Sequence, residues 1–149
     1  MRMKCASPLS IVLAIALFAL TACQSPAVPD IAASAGPLDG GELRETLLGH
    51  TLSRTGGPLW RRWDYAGVHR ADGTIAGRVS WSGGEEVASG VWDISSEGLY
   101  CRTWNNDWGD GRRGCFQVWR SGDVLVFDHV SGSPGDDDRY AYRLLPKEP

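Results

Sequence analysis

Thr74-Ile75-Ala76-Gly77-Arg78-Val79-Ser80-Trp81 alternates apolar and polar side chains, and this alternation decides the fold class. Ile75, Val79 and Trp81 share one face; Thr74, Arg78 and Ser80 share the other. A period of two marks a half-buried strand, because successive side chains of a strand point to opposite sides. Ser82-Gly83-Gly84 breaks the run, and Val87–Ile94 resumes it with Ala88, Gly90, Trp92 and Ile94 in phase. Trp81 and Trp92, both in apolar phase, are expected in the core. Leu99–Trp104, Cys115–Arg120, Val124–Val130 and Arg139–Leu145 follow as further runs rich in β-branched and aromatic residues. The more polar Trp60–Arg70 precedes them as another strand. Asp72-Gly73, Ser96-Glu97-Gly98 and Ser121-Gly122-Asp123 read as the turns between them.

Short strands joined by short turns favour an up-and-down antiparallel sheet. A sheet this long in so small a chain must curl and close to protect its edges. The predicted fold is therefore mainly β: a small antiparallel up-and-down β-barrel of seven or eight strands with one short N-terminal helix. An open curved sheet covered by that helix is the alternative. The helix itself is read over 40–48. Asp39 is its N-cap and Glu42 the partner of a capping box; Leu43, Leu47 and Leu48 form its apolar face, and Gly49 is its stop.

Ahead of this domain (residues 39–147) the composition changes twice. Residues 1–22 carry two cations, Arg2 and Lys4, and then the apolar run Leu9–Leu20. That run has the length of a signal-peptide core and falls short of the roughly 20 residues that span a bilayer. It ends in Leu20-Thr21-Ala22-Cys23, which resembles the lipobox of bacterial lipoproteins: an aliphatic residue, two small residues and the cysteine that takes the lipid. Cys23 is thus the expected lipidation site, and its acyl chains the expected link to a membrane. Residues 23–38 then form an Ala-, Ser- and Pro-rich tether with one charge, Asp30. Gln24, rather than Asp, follows the cysteine. The expected location is the cell envelope, at the outer membrane facing the periplasm if the source is Gram-negative.

The whole chain has a formal charge of −3, and loss of Arg2 and Lys4 with the leader makes it −5. A nucleic-acid footprint needs a basic patch, which this balance does not supply, so no nucleic-acid partner is expected. Four cysteines are present. Cys5 leaves with the leader and Cys23 is acylated. Cys101 and Cys115, in an oxidising compartment, are expected to form a disulfide between consecutive strands. It would close a loop for which chain entropy gives roughly 3 kcal/mol. His50, His69 and His129 are scattered, without zinc-ligand spacing, and no metal or cofactor is expected.

The chain lacks G-x-S-x-G, H-E-x-x-H and G-x-G-x-x-G, and no catalytic residues are assigned. Asp128-His129 is the only adjacent acid–imidazole pair, and strand geometry turns the two side chains apart. Asn106–Gly111 fails the EF-hand pattern, since Trp108 falls at its third position and Gln117 at its twelfth. Asp136-Asp137-Asp138 reads as a charged loop. The tryptophans are the anomaly: all seven lie between Trp60 and Trp119. Trp104 and Trp108 flank Asn105-Asn106-Asp107 in the hairpin loop Asn105–Gly114, which the disulfide would staple. A tryptophan in a polar loop offers a large rigid contact and an N–H donor. The candidate binding loop therefore comprises Trp104, Asp107, Trp108, Asp110, Arg112 and Arg113, facing an envelope protein or a glycan. The competing reading is that Trp108 folds back as a lid on the barrel end.

Several short motifs line up between Gly41 and Leu145: Leu47-Leu48-Gly49-His50-Thr51, Asp72-Gly73-Thr74, Gly90-Val91-Trp92, Leu99-Tyr100-Cys101 and Cys115-Phe116-Gln117-Val118. In these the chain resembles a family of small exported proteobacterial β domains of unknown function, with a helix, a G-x-T strand, a DGT turn, G-x-W and a paired-cysteine hairpin. The resemblance implies an envelope location and a compact β fold, and it brings no catalytic residues. A looser likeness is to avidin-like inhibitors of secreted bacterial proteases, small exported barrels with a G-x-W strand before a disulfide hairpin and a tryptophan beyond it, here Trp119. In those inhibitors the segment ahead of the barrel plugs a protease cleft; the matching segment here is the tether and helix. The expected function is a non-catalytic envelope binding module on a lipid tether. An inhibitor of a secreted or host hydrolase and an enzyme with an unrecognised site are the alternatives. Mass spectrometry of the mature N-terminus should find an acylated Cys23, and Cys23→Ser should accumulate as unprocessed or unlipidated precursor.

Overall fold

A computed structural model describes residues 36–135 and 138–146. The leader 1–22, Cys23, the tether as far as residue 35, and Asp136-Asp137 lie outside the described residues. The alternating segments become strands that close into a barrel in simple chain order, each antiparallel to the next. The strands are β1 (His50–Gly56), β2 (Trp63–His69), β3 (Thr74–Trp81), β4 (Gly84–Ile94), β5 (Tyr100–Trp104), β6 (Gly114–Ser121), β7 (Val124–Gly132) and β8 (Arg139–Pro146). Reading the residues singly names seven of these. The eighth, β1, follows the helix where the family resemblance sets its G-x-T strand. Pairing of His50–Ser53 with Arg143–Pro146 completes the circle, so neither terminal strand is left with a free edge.

The helix α1 (Gly40–Leu48) forms as its capping residues dictate. Asp39 Oδ1 accepts from the backbone N–H groups of Gly41 and Glu42, at 2.8 and 2.9 Å, and the Glu42 carboxylate accepts from the Asp39 N–H. Such a cap contributes about 1 kcal/mol. Burial of Leu43 and Leu47, both fully inaccessible, holds the helix against one end of the bore. Leu38 N–H donates to Val118 O at 2.8 Å, tying the incoming chain to β6, and the Arg44 guanidinium lies over the Trp92 ring. The end of the barrel beneath the helix is thereby filled.

Cys101 and Cys115 are direct register partners on β5 and β6 and are disulfide-bonded, with a Cα–Cα distance of 4.1 Å. Their strand neighbours Tyr100 and Phe116 point into the bore, so the bridge lies on the outer face. Arg113 spans that face to make a bidentate ion pair with Asp93, the β4 partner of Cys101, at 2.5 and 2.7 Å. The alternation also has a limit. Trp92 is buried as expected, but Trp81 is 46 % exposed and does not belong to the core. It is the last residue of β3, and although its phase is inward, the barrel rim ends beneath it.

His69, the last residue of β2, is the one histidine fully enclosed by the core. Its Nε2 lies 2.8 Å from the Tyr100 hydroxyl, its ring meets Trp92 edge-on, and among the described residues its Nδ1 has no partner. Burial, reinforced by the Arg102 charge, pushes the imidazole down from its ordinary 6.5 to about 3. The unfolded chain therefore takes up a proton that the native state refuses until about pH 3. The stability tied to a neutral His69 is fully present above the ordinary value and is lost as pH falls from there toward the folded one. Urea unfolding at pH 7 and pH 4 should show a loss of about 3 kcal/mol from this group alone. His69→Gln, which keeps a partner for Tyr100, should flatten that part of the acid limb.

Candidate functional site

Opposite α1, the loops that follow β1, β3, β5 and β7 gather at the other end of the barrel. Here the inward phase changes character. On β5 it reads Tyr100, Arg102, Trp104; on β1 it reads Leu52, Arg54, Gly56. Two guanidinium groups thus enter a bore otherwise lined by rings. They surround a cavity of about 290 Å³ that opens at this end. Arg102 stands 5.1 Å from the Phe116 ring centroid and 5.2 Å from that of Tyr140, and its Nη1 is 3.4 Å from the Tyr142 hydroxyl. Arg54 lies 5.1 Å from the same Tyr140 ring centroid and 5.4 Å from that of Trp63. Burial notwithstanding, the surrounding phenols hold the Arg102 guanidinium in its charged form.

Tyr65, the register partner of Arg54, projects between the two guanidinium groups' strands toward Tyr142, with ring centroids 5.5 Å apart. The Tyr65 hydroxyl is buried and, among the described residues, makes no hydrogen bond. Burial, with the neighbouring phenols, pushes its pKa well above the ordinary range, and it stays a neutral donor. Gly67, two residues on, leaves room for this ring to lie flat along β2, since a Cβ there would collide with it. Gly77, the register partner of Gly67 on β3, does the same for two indoles. A Cβ at Gly77 would come within 2.7 Å of the Trp108 ring and 2.8 Å of Trp104.

The loop singled out from sequence divides in two. Trp104, Asp107 and Trp108 come together on the cavity. Trp104 is buried in the barrel wall, and Trp108 packs edge-on against it with centroids 5.0 Å apart. Trp108 Nε1 donates to Glu86 at 2.7 Å, and Asn106 Nδ2 donates to the same carboxylate oxygen at 3.2 Å. The loop is further laid down on β4 by Asn105, whose N–H and side chain both bond Ser89. In this structure Trp108 is thus folded back over the barrel end. Asp110, Arg112 and Arg113 are not brought to the cavity: Asp110 pairs with Arg112 at 2.9 Å, and Arg113 is held by Asp93 on the outer face. Sequence reasoning missed Arg54, Arg102, Tyr65 and Glu86. The available signal was a charge at an inward position of an apolar alternation.

Beside this mouth lies a broader cleft of about 720 Å³, walled by Trp60, Trp63, Trp81 and Trp108. Its outer lip is the loop after β1, where Leu59 is 91 % and Trp60 77 % exposed. Asp128 and His129 take separate partners, Arg139 at 3.3 Å and the Gly132 carbonyl at 3.1 Å, so they form no dyad. Among the described residues, no group of three metal-ligating side chains occurs. Compared with protein families, curated proteins and solved structures, the chain has no significant match.

Trp108 therefore carries both packing and access. Trp108→Ala should lower stability by about 1–3 kcal/mol, less than the roughly 3–5 kcal/mol of the core truncation Trp92→Ala. It should also raise acrylamide quenching of Trp104, because the lid over the cavity is gone. Denaturant titration and quenching measure the two effects separately.

Proposed function

We propose that this chain is a lipid-anchored envelope protein that acts as a non-catalytic binding module, taking a small molecule into the barrel end remote from α1. The cavity carries this reading. One end of the bore is filled by helix and core, while the other keeps a space of about 290 Å³ lined by aromatic walls and a few polar groups. That combination is the usual make-up of a small-molecule site, at the small end of the range. Arg102 and Tyr65 keep their protonation state near neutral pH, which suits holding a ligand rather than moving a proton. Lipidation at Cys23 would set the module at a membrane surface, in a Gram-negative source the periplasmic face of the outer membrane.

A second reading, a protein partner such as a hydrolase to be inhibited, draws support from one observation. Leu59 and Trp60 project at the rim, and a large apolar side chain that exposed is a plausible anchor for another protein. A thermal-shift screen of small molecules separates the two. A ligand present at 100 times its Kd should stabilise the fold by about 2.7 kcal/mol. Val79→Trp, which fills the mouth, should abolish that stabilisation. Equal stabilisation of Val79→Trp, or no stabilising small molecule at all, would remove the cavity reading.

A further inference from the structure

We infer that the cavity selects organic anions, and in particular a flat, largely apolar molecule whose carboxylate is held by Arg102 and the Tyr65 hydroxyl. The inference rests on the proposed small-molecule reading and deepens it.

The first observation is a cation with no ion-pair partner among the described residues. Arg102 sits half-buried on the inner wall, and among the described residues it makes no ion pair; it lies over the Trp104, Phe116 and Tyr140 rings and approaches the Tyr142 and Tyr100 hydroxyls. Drawing a charge partly out of water is costly unless it is paired. A planar guanidinium on an inner wall is, however, matched to a carboxylate, which it can meet through two parallel N–H donors.

The second observation is independent of charge. The Tyr65 hydroxyl is buried on the cavity wall with no partner among the described residues. A buried hydroxyl left unpaired is costly, and a ligand oxygen would recover that cost. Tyr65 and Arg102 border the same space, and both contact or approach Tyr142. They can therefore converge on one oxygen-bearing group.

The walls set the rest of the ligand. Trp104 and Trp108 stand edge-on to each other above Gly77, and Tyr140 faces them from β8. Flat ring surfaces favour a flat apolar body. The acidic groups Glu86 and Asp107 also border the cavity. They do not neutralise Arg102. Glu86 is engaged by Trp108 and Asn106, and it lies six residues along β4 from Trp92, the register partner of Arg102, or ~20 Å of strand. Glu86 thus stands toward the mouth and Arg102 deeper within, an order that directs the carboxylate inward.

The test uses benzoate and indole-3-carboxylate as probes, each against its neutral amide, with tryptophan fluorescence and calorimetry on the mature protein. The carboxylates should bind about tenfold or more tightly than the amides, as expected for a charge-assisted hydrogen-bonded pair. Arg102→Met should erase that preference while leaving the melting temperature unchanged or higher. Tyr65→Phe, which keeps the ring, should weaken carboxylate binding severalfold, and Arg102→Lys should retain only part of the preference. Equal binding of acid and amide overturns the inference, as does an undiminished preference in Arg102→Met. An Arg102→Met protein that fails to fold also overturns it, because Arg102 is then a structural cation. If neither carboxylate binds but a neutral molecule from the screen does, the anion inference falls and the cavity reading stands. If nothing binds the wild type, both fall.

Discussion

The bore of an eight-stranded barrel is just wide enough for its own side chains to fill, and how that space is filled governs the rest of this structure. Near α1 the filling is apolar and complete: Leu43 and Leu47 come down from the helix onto Leu52, Ile75, Trp92 and Tyr100. Toward the other end the same inward phase runs into arginines, tyrosines and tryptophans. These side chains are too large and too polar to close the space as leucines do. Their rings can lie flat only where a neighbouring position has no Cβ, as at Gly67 and Gly77. The cavity is the remainder of that packing.

The fold was largely legible because its signals are local. Alternation, turn residues and a capping box depend on near neighbours, and they placed α1 and β3 at their observed limits. The pairing of Cys101 with Cys115 was read from the assignment of the other two cysteines and from the expected oxidising compartment, and the structure shows the bridge. Trp81 shows where local phase stops being informative: alternation says which side a residue faces, not whether the wall extends that far. The site was harder to read for the same reason. Loop composition drew attention to Trp108 and Asp107, which do border the cavity. The loop's charges, Asp110, Arg112 and Arg113, are instead paired along the surface. Arg54 and Arg102 lie on separate strands, and only closure of the barrel brings them against one Tyr140 ring.

That interior also sets two demands against each other. A guanidinium at position 102 brings into the barrel a charge that an apolar side chain would not. The loop lid adds a further polar contact at the rim, where the Trp108 indole N–H donates to the Glu86 carboxylate. The disulfide and the Asp93–Arg113 pair outside the wall reinforce the strands that carry Arg102 and Trp104. Rigidity on the outer face thus supports a less completely packed inner one.

The order of pairing has a kinetic consequence. Seven of the eight ladders join strands adjacent in the chain, and only β1 with β8 joins strands from its two ends. Hairpins close on short loops and form early, whereas contacts between distant segments bear the greater cost of loop closure. The seam between His50–Ser53 and Arg143–Pro146 accordingly bears the largest loop-closure cost of the eight ladders. Its opening would expose two strand edges at once, so the lifetime of the closed ring, more than the depth of the core, governs how long the folded chain resists pairing with its own copies.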